Sequence, residues 1–278
     1  MRIQQTGLLV ITMTSLALVF ANSSLAQENA EKGRPFSDKM NNIILNLSNS
    51  ISDKNNTSKF LVGTGKDDTH LCVVITADRG LCGGLVGNLN RSLSRFIGTQ
   101  GFPVDSVVIG RKGRDFASRS NIEIRSSFTD IGDTPSLSDT KEIADIIISD
   151  YENGEVDEVY ISYSKFISTV VQQPTIKKIL PVEAADVEPN NKSGYIYEPN
   201  PAEILDSLLP KFVQVQIYHS ILESIGSEHS ARMVAMSSAT DSAKEMIQGL
   251  ILLMNKVRQA SITTELLDIV GGVAALEG

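Results

Sequence analysis

Residues 70–87 read HLCVVITADRGLCGGLVG, and they decide the fold. The run from His70 to Ala77 is short, apolar and rich in β-branched residues, so it predicts a strand buried on both faces. A turn at Asp78-Arg79-Gly80 follows. From Gly83 to Ile97 the apolar residues Leu85, Leu89, Leu93 and Ile97 recur every fourth position, which predicts a helix packed on one side. Further along, Val104 to Ile109 predicts a second strand, and Ile122 with Ile124 marks a weaker one. Leu137 to Tyr151 predicts a helix with Ile143, Ile146 and Ile147 on one face. Val156 to Ile161 predicts another strand, followed by a polar extended stretch up to Pro181. Strands alternating with helices imply an α/β domain with a largely parallel, Rossmann-like sheet, placed at residues 57–198. The acidic stretch from Glu183 to Ser193 reads as a loop.

Glycines 80, 83, 84 and 87 are spaced G-x-x-G-G-x-x-G. That is not the dinucleotide fingerprint, and no Gly-Lys-Ser/Thr follows. A tight strand-to-helix turn needing positive φ explains them without a phosphate. Cys82 sits where a helix begins, a place that favours a thiolate. No histidine is near it in sequence, so a structural thiol is the simpler reading.

Beyond Pro210, the last proline, the sixty residues from 211 to 270 contain only Gly226 and Gly249 as weak interruptions. Asn200-Pro201 predicts an N-cap with proline at the first helical position. Gly226-Ser227 predicts a kink or a cap between two helices. A fully helical stretch of this length would extend roughly 90 Å, far beyond an ordinary globular helix. Met233, Met236, Ala243, Ile247, Leu250, Met254 and Val257 follow steps of three and four, with one gap at Thr240. Ile262, Leu266, Ile269 and Val273 resume the rhythm one position late, rotating the stripe by about 100°. The polar run Arg258-Gln259-Ala260-Ser261 sits at that slip. These residues, 199–278, predict one helix of a coiled coil.

Its partner would be the amino-terminal helix, residues 1–56, lying antiparallel to it. From Leu8 to Asn29 there is no proline or glycine, and no charge before Glu28. A helix apolar nearly all round must be buried. A second reading is a cleaved export signal over residues 1–26, with Arg2 as n-region, Leu8 to Ala21 as h-region and Ser24-Leu25-Ala26 before the cut, leaving an exported α/β domain. Cleavage would deprive the carboxyl-terminal helix of its partner, so the buried helix is preferred.

Bulk properties exclude several classes. The chain has 278 residues, 41% apolar and 21% charged, enough for a sizeable core. The net charge of −8 speaks against a nucleic-acid binder, which needs a basic face. Cys72 and Cys82 alone complete neither a zinc site nor a disulfide framework. His70, His219 and His229 are scattered. No segment has the ~18 uninterrupted apolar residues of a membrane helix, and Gly7 to Ala21 is the nearest approach.

Two motifs resemble the gamma subunit of F-type ATP synthases. The first is Thr76-Ala77-Asp78-Arg79-Gly80-Leu81-Cys82-Gly83-Gly84 with Asn88. The second runs from Glu228 through Met236, Ala239-Thr240-Asp241 and Asn255 to Thr263, and ends at Glu265-Leu266, Ile269-Val270 and Gly272-Val273-Ala274-Ala275. Tyr195-Ile196-Tyr197-Glu198-Pro199 is a shorter third. The resemblance is good over residues 60–278 and poor over 1–45. It implies a rotor stalk: the terminal helices stand inside an alpha/beta hexamer, and the α/β domain sits at the base against the c-ring and the epsilon subunit. Such a chain is a non-catalytic part of a proton-translocating enzyme, with no cofactor or metal of its own. It would lie at the membrane surface, on the cytoplasmic face of a bacterial inner membrane or the matrix face of a mitochondrial one.

By the same resemblance, Arg232, Arg258, Gln259 and Thr263 contact the beta subunit, and Tyr195 and Glu198 touch the c-ring. Asp78, Arg79, Gly80, Leu81, Cys82 and Gly83 form the signature turn. The family's amino-terminal helix is studded with Lys and Arg, whereas this chain has none between Arg2 and Lys32 and starts short of the usual first turn.

Overall fold

The computed structural model describes residues 59–66, 68–100, 103–182 and 201–277. It also describes nine helical positions nearer the amino terminus: Glu28, Pro35, Phe36, Lys39, Met40, Asn42, Ile43, Ile44 and Leu47. In chain order the elements are α1 (Lys59–Val62), β1 (His70–Ile75), α2 (Leu85–Thr99), β2 (Val104–Ile109), α3 (Arg111–Arg119), β3 (Ile124–Phe128), α4 (Lys141–Glu152), β4 (Glu158–Phe166), β5 (Gln172–Leu180) and α5 (Pro201–Glu277). The sheet order is β3-β2-β1-β4-β5. The first four strands are parallel, and β5 is antiparallel to β4 at one edge.

Alternation along β1 explains why the whole strand is buried. Leu71, Val73 and Ile75 face one core, with Ile143 and Ile147 of α4 and Leu205, Leu209, Val213 and Ile217 of α5. Cys72 and Val74 face another, with Leu93 of α2 and Ala117 of α3. A central parallel strand covered on both faces has no polar side to display, hence the unbroken apolar run. Met40, Ile44 and Leu47 join the first of these cores, so these three helical positions share a core with α5.

Three features depart from the sequence reading. Helix α3 was not expected. Its sequence RKGRDFASR carries no apolar stripe, because the face it buries consists of Gly113 and Ala117, which let the helix lie close to the sheet. The polar stretch before Pro181 is a strand, β5. As an edge strand it buries little, so its side chains carry no strong alternation. The cap between two helices expected as one alternative at Gly226-Ser227 is not there: α5 runs as one helix from Pro201 to Glu277, through Pro210 and Gly226. The cost of an interior glycine, about 1 kcal/mol, is outweighed because Gly226 is itself buried in the packed part of the helix.

Contacts divide the chain into two units, Met1–Val234 and Ala235–Gly278. The first holds the sheet and its cores. The second is helical, and its described side chains, through Val273, are exposed, Ala235 and Asn255 excepted. The loop expected at 183–193 lies outside the described residues, and so does most of the antiparallel helix expected over residues 1–56, of which only the nine helical positions above are described. No helix among the described residues is long and apolar enough to cross a membrane.

Candidate functional site

The carboxyl ends of β1, β2 and β3 and the facing turns of α5 form a polar assembly in the first unit. It starts from Thr76, whose hydroxyl donates to the Ile109 carbonyl (3.1 Å) and accepts from the Gly113 amide (2.8 Å). Gly110, at φ 97°, passes so close that a Cβ there would lie 2.1 Å from the Thr76 carbonyl oxygen. This crossing requires glycine on both conformational and steric grounds.

Asp78 joins three loops. Its Oδ1 accepts from the Arg111 amide (2.9 Å), at the start of α3, and its Oδ2 accepts from the Asp130 amide (3.1 Å), after β3. A carboxylate here satisfies an orphan amide and complements the helix dipole. Asp130 also receives the Arg111 guanidinium at 2.6 and 2.7 Å, and that bond chiefly holds its carboxyl below the usual range.

Next comes the signature turn. Arg79 and Gly80 are exposed. The positive φ values fall on Leu81 (64°) and Gly83 (58°), not on Gly80. A leucine held there costs roughly 1 kcal/mol, and its side chain is 74% exposed. Cys82 is buried. Burial foremost, and the Glu228 carboxylate next, push its thiol above the ordinary value. Burial pushes Cys72 up to about 12. Both thiols are held protonated, which fits structural cysteines and not nucleophiles.

Helix α5 closes the assembly. Arg232 Nε donates to the Gly80 carbonyl (3.4 Å), and its guanidinium pairs with Glu228 one turn earlier. His229 Nε2 lies 3.4 Å from Asp133 Oδ1, in the loop after β3. Ser227 donates to the Ser164 carbonyl of β4 at 2.8 Å. Beneath them is a cavity of about 280 Å³ with apolar walls from Ile109, Ile131, Ile221 and Ile225 and a rim carrying Glu228 and Arg232. Ligands of open α/β sheets bind at such carboxyl edges. Here Asp78, Asp130, Asp133, Glu228 and Arg232 are already engaged with groups of the same chain.

The predicted site residues therefore fall into three sets. The structure brings the signature turn and Arg232 together. Arg258 and Gln259 are exposed in the second unit, as is Thr263, whose hydroxyl donates to the Gln259 carbonyl at 2.9 Å. Tyr195 and Glu198 lie outside the described residues. Sequence reasoning missed Glu228, Asp130, Asp133 and Gly110 as parts of this assembly. The i,i+4 spacing of Glu228 and Arg232 was a legible signal.

The ATP synthase family profile matches residues 2–276. This chain belongs to the ATP synthase gamma family. The ATP synthase gamma chain of Dehalococcoides mccartyi strain CBDB1 is 46% identical over 266 residues, covering 96% of this chain and 93% of that one. That of Chloroflexus aurantiacus strain J-10-fl is 43% identical over 254 residues, covering 90% and 88%. In fold, this gamma-family chain resembles a chain in the central stalk/c-ring structure of the Tetrahymena thermophila mitochondrial ATP synthase. The TM-score is 0.63 and the identity 21%, covering 83% of this chain and 99% of the other. A chain of the Euglena gracilis mitochondrial enzyme matches at TM-score 0.57 and 17% identity, covering 95% of each. The profile match begins at residue 2, so the amino-terminal segment that departs from the family's basic pattern still falls within the matched span. The export-signal reading of residues 1–26 finds no support in these matches.

Proposed function

We propose that this chain is the central rotor stalk of an ATP synthase, turned by the c-ring and imposing successive nucleotide affinities on an alpha/beta hexamer. It would carry no catalytic residue of its own. Residues 57–198 would form the base, near the c-ring and the epsilon subunit, at the surface of an energy-transducing membrane. Residues 1–56 and 199–278 would form the shaft.

One observation carries this reading: in a chain that matches the gamma family nearly end to end, residues 246–273 expose a dense apolar surface. Leu250, Leu252, Leu253, Met254, Leu266 and Leu267 are each more than half exposed. Surfaces of this kind mark places where another helix or another chain belongs. In this reading Arg258, Gln259 and Thr263 are the polar contacts to the beta subunit, where the apolar stripe slips. An arginine fork suits carboxylates there. Tyr195 and Glu198 would meet the c-ring.

The test is reconstitution. Purified chain mixed with cognate alpha and beta subunits should form a stable complex and stimulate their ATP hydrolysis. Absence of a complex at micromolar concentrations would overturn the reading. Arg258→Ala with Gln259→Ala should weaken coupling in that complex and leave the melting temperature of the isolated chain nearly unchanged.

A further inference from the structure

We propose that Glu228 and Arg232, with Ser227 just before them and His229 between them in the helix, form a fastener that fixes the rotational setting of α5 against the sheet and passes torque between the two. This rests on the rotor-stalk reading, and it gives Arg232 a role inside the chain in addition to any contact with a partner.

The buried face of α5 changes character along its length. Leu205, Leu209, Phe212, Val213, Ile217 and Ile221 press into the main core. From Glu223 onward the buried residues are mainly polar, among them Ser224, Ser227, His229 and Ser230. Apolar burial is strong but non-directional, so it resists separation better than it resists turning about the helix axis. Hydrogen bonds have narrow angular tolerance, and charge-assisted ones are the stronger kind. A helix meant to transmit rotation needs directional bonds where the apolar packing ends.

Those contacts reach β4 and the loops after β1 and β3. Ser227 bonds to Ser164 in β4, Arg232 to Gly80 after β1, and His229 meets Asp133 after β3. Three points spread across a sheet fix an angle that one point cannot. Arg232 and Glu228 have side chains only 16% and 18% exposed, so their pairing is less screened than a surface pair. The receiving turn is itself held by the two amide bonds to Asp78 and by Leu81 and Gly83 at positive φ. Glu228 orients the guanidinium whose Nε reaches Gly80, making Glu228 a positioning residue with no partner-facing duty.

The experiment uses the whole ATP synthase in inverted membrane vesicles carrying Glu228→Gln or Arg232→Ala, with assembled enzyme matched by immunoblot. Glu228→Gln should keep ATP hydrolysis while ATP-driven proton pumping per ATP hydrolysed declines. Arg232→Ala should lower pumping at least as far, and the double variant no further than Arg232→Ala alone, because both side chains serve one fastener. Wild-type pumping in Glu228→Gln would overturn the proposal, since a purely partner-facing Arg232 does not need Glu228. Equal, additive losses in the double variant would overturn it too. Failure of the wild-type chain to join alpha and beta subunits would instead remove the rotor reading, so the two failures are distinguishable.

Discussion

The two parts of α5 solve opposite problems with similar residues. Up to Val234 most of its leucines and isoleucines are buried, as Leu205, Leu209, Ile217 and Ile221 show at 1% exposure or less. From Ala235 on, equally apolar residues are exposed, among them Leu250 at 58%, Leu252 at 71% and Ile269 at 64%. Helix propensity cannot separate the two parts, since both are rich in good helix formers. The difference lies in what covers them. The first part is satisfied by the sheet and its helices. The second requires cover beyond the described residues, from the helix expected over residues 1–56 or from partner subunits.

This contrast breaks most sharply under a buried charge. Leu209→Asp should unfold the isolated chain, because an unpaired buried carboxylate costs several kcal/mol against a total margin of roughly 5–15 kcal/mol. Leu250→Asp should leave the isolated chain's circular-dichroism melt almost unchanged and abolish assembly with alpha and beta subunits. Equal loss of stability in both variants would erase the distinction between the two parts.

A smaller effect is expected at Gly110. Substitution by alanine meets the Thr76 carbonyl and an unfavourable φ together, which should lower stability by roughly 1–3 kcal/mol. The loss should show as a lower midpoint of urea unfolding of the isolated chain, because this crossing belongs to the self-sufficient unit. Gly249→Ala, where an added Cβ meets nothing within 4 Å, should be neutral or slightly stabilising by the same measurement.

The smallest effect is one of pH. Asp157 is buried, which opposes its ionisation. Hydrogen bonds from the Thr64 hydroxyl, from the Asp68 and Thr69 amides and from the Thr69 hydroxyl outweigh burial and leave its pKa below the ordinary carboxylate value. A depressed folded-state pKa contributes stability that is present above the unfolded value, near 4, and is lost as pH falls through the folded one. Thermal melts from pH 6 to pH 3 should therefore drop less steeply for Asp157→Asn than for the parent chain. Parallel curves would show that Asp157 does not couple to folding.

Much of the fold was legible in residues with one clear period. The apolar run of β1 and the four-residue spacing of α2 each report which faces meet an apolar environment, whereas the three-four rhythm after Met233 falls on a helix whose apolar side chains are exposed. That demand is set by local pattern alone. Helix α3 was not legible, because Gly113 and Ala117 bury a face without displaying hydrophobicity. Strand β5 was faint for the related reason that an edge strand has little to bury.

The candidate site divides in the same way. The turn 76–84 and Arg232 stood out in the sequence as separate motifs. That Arg232 reaches Gly80, and that Asp78 binds amides from two other loops, follows only when strands far apart in the chain end at one edge. Hydrogen bonds depend on distances and angles that no local pattern encodes, whereas burial is averaged over a whole face. The sequence by itself therefore determined most of the elements, their apolar faces and the family, and tertiary structure decided which polar groups meet and which apolar face stays open.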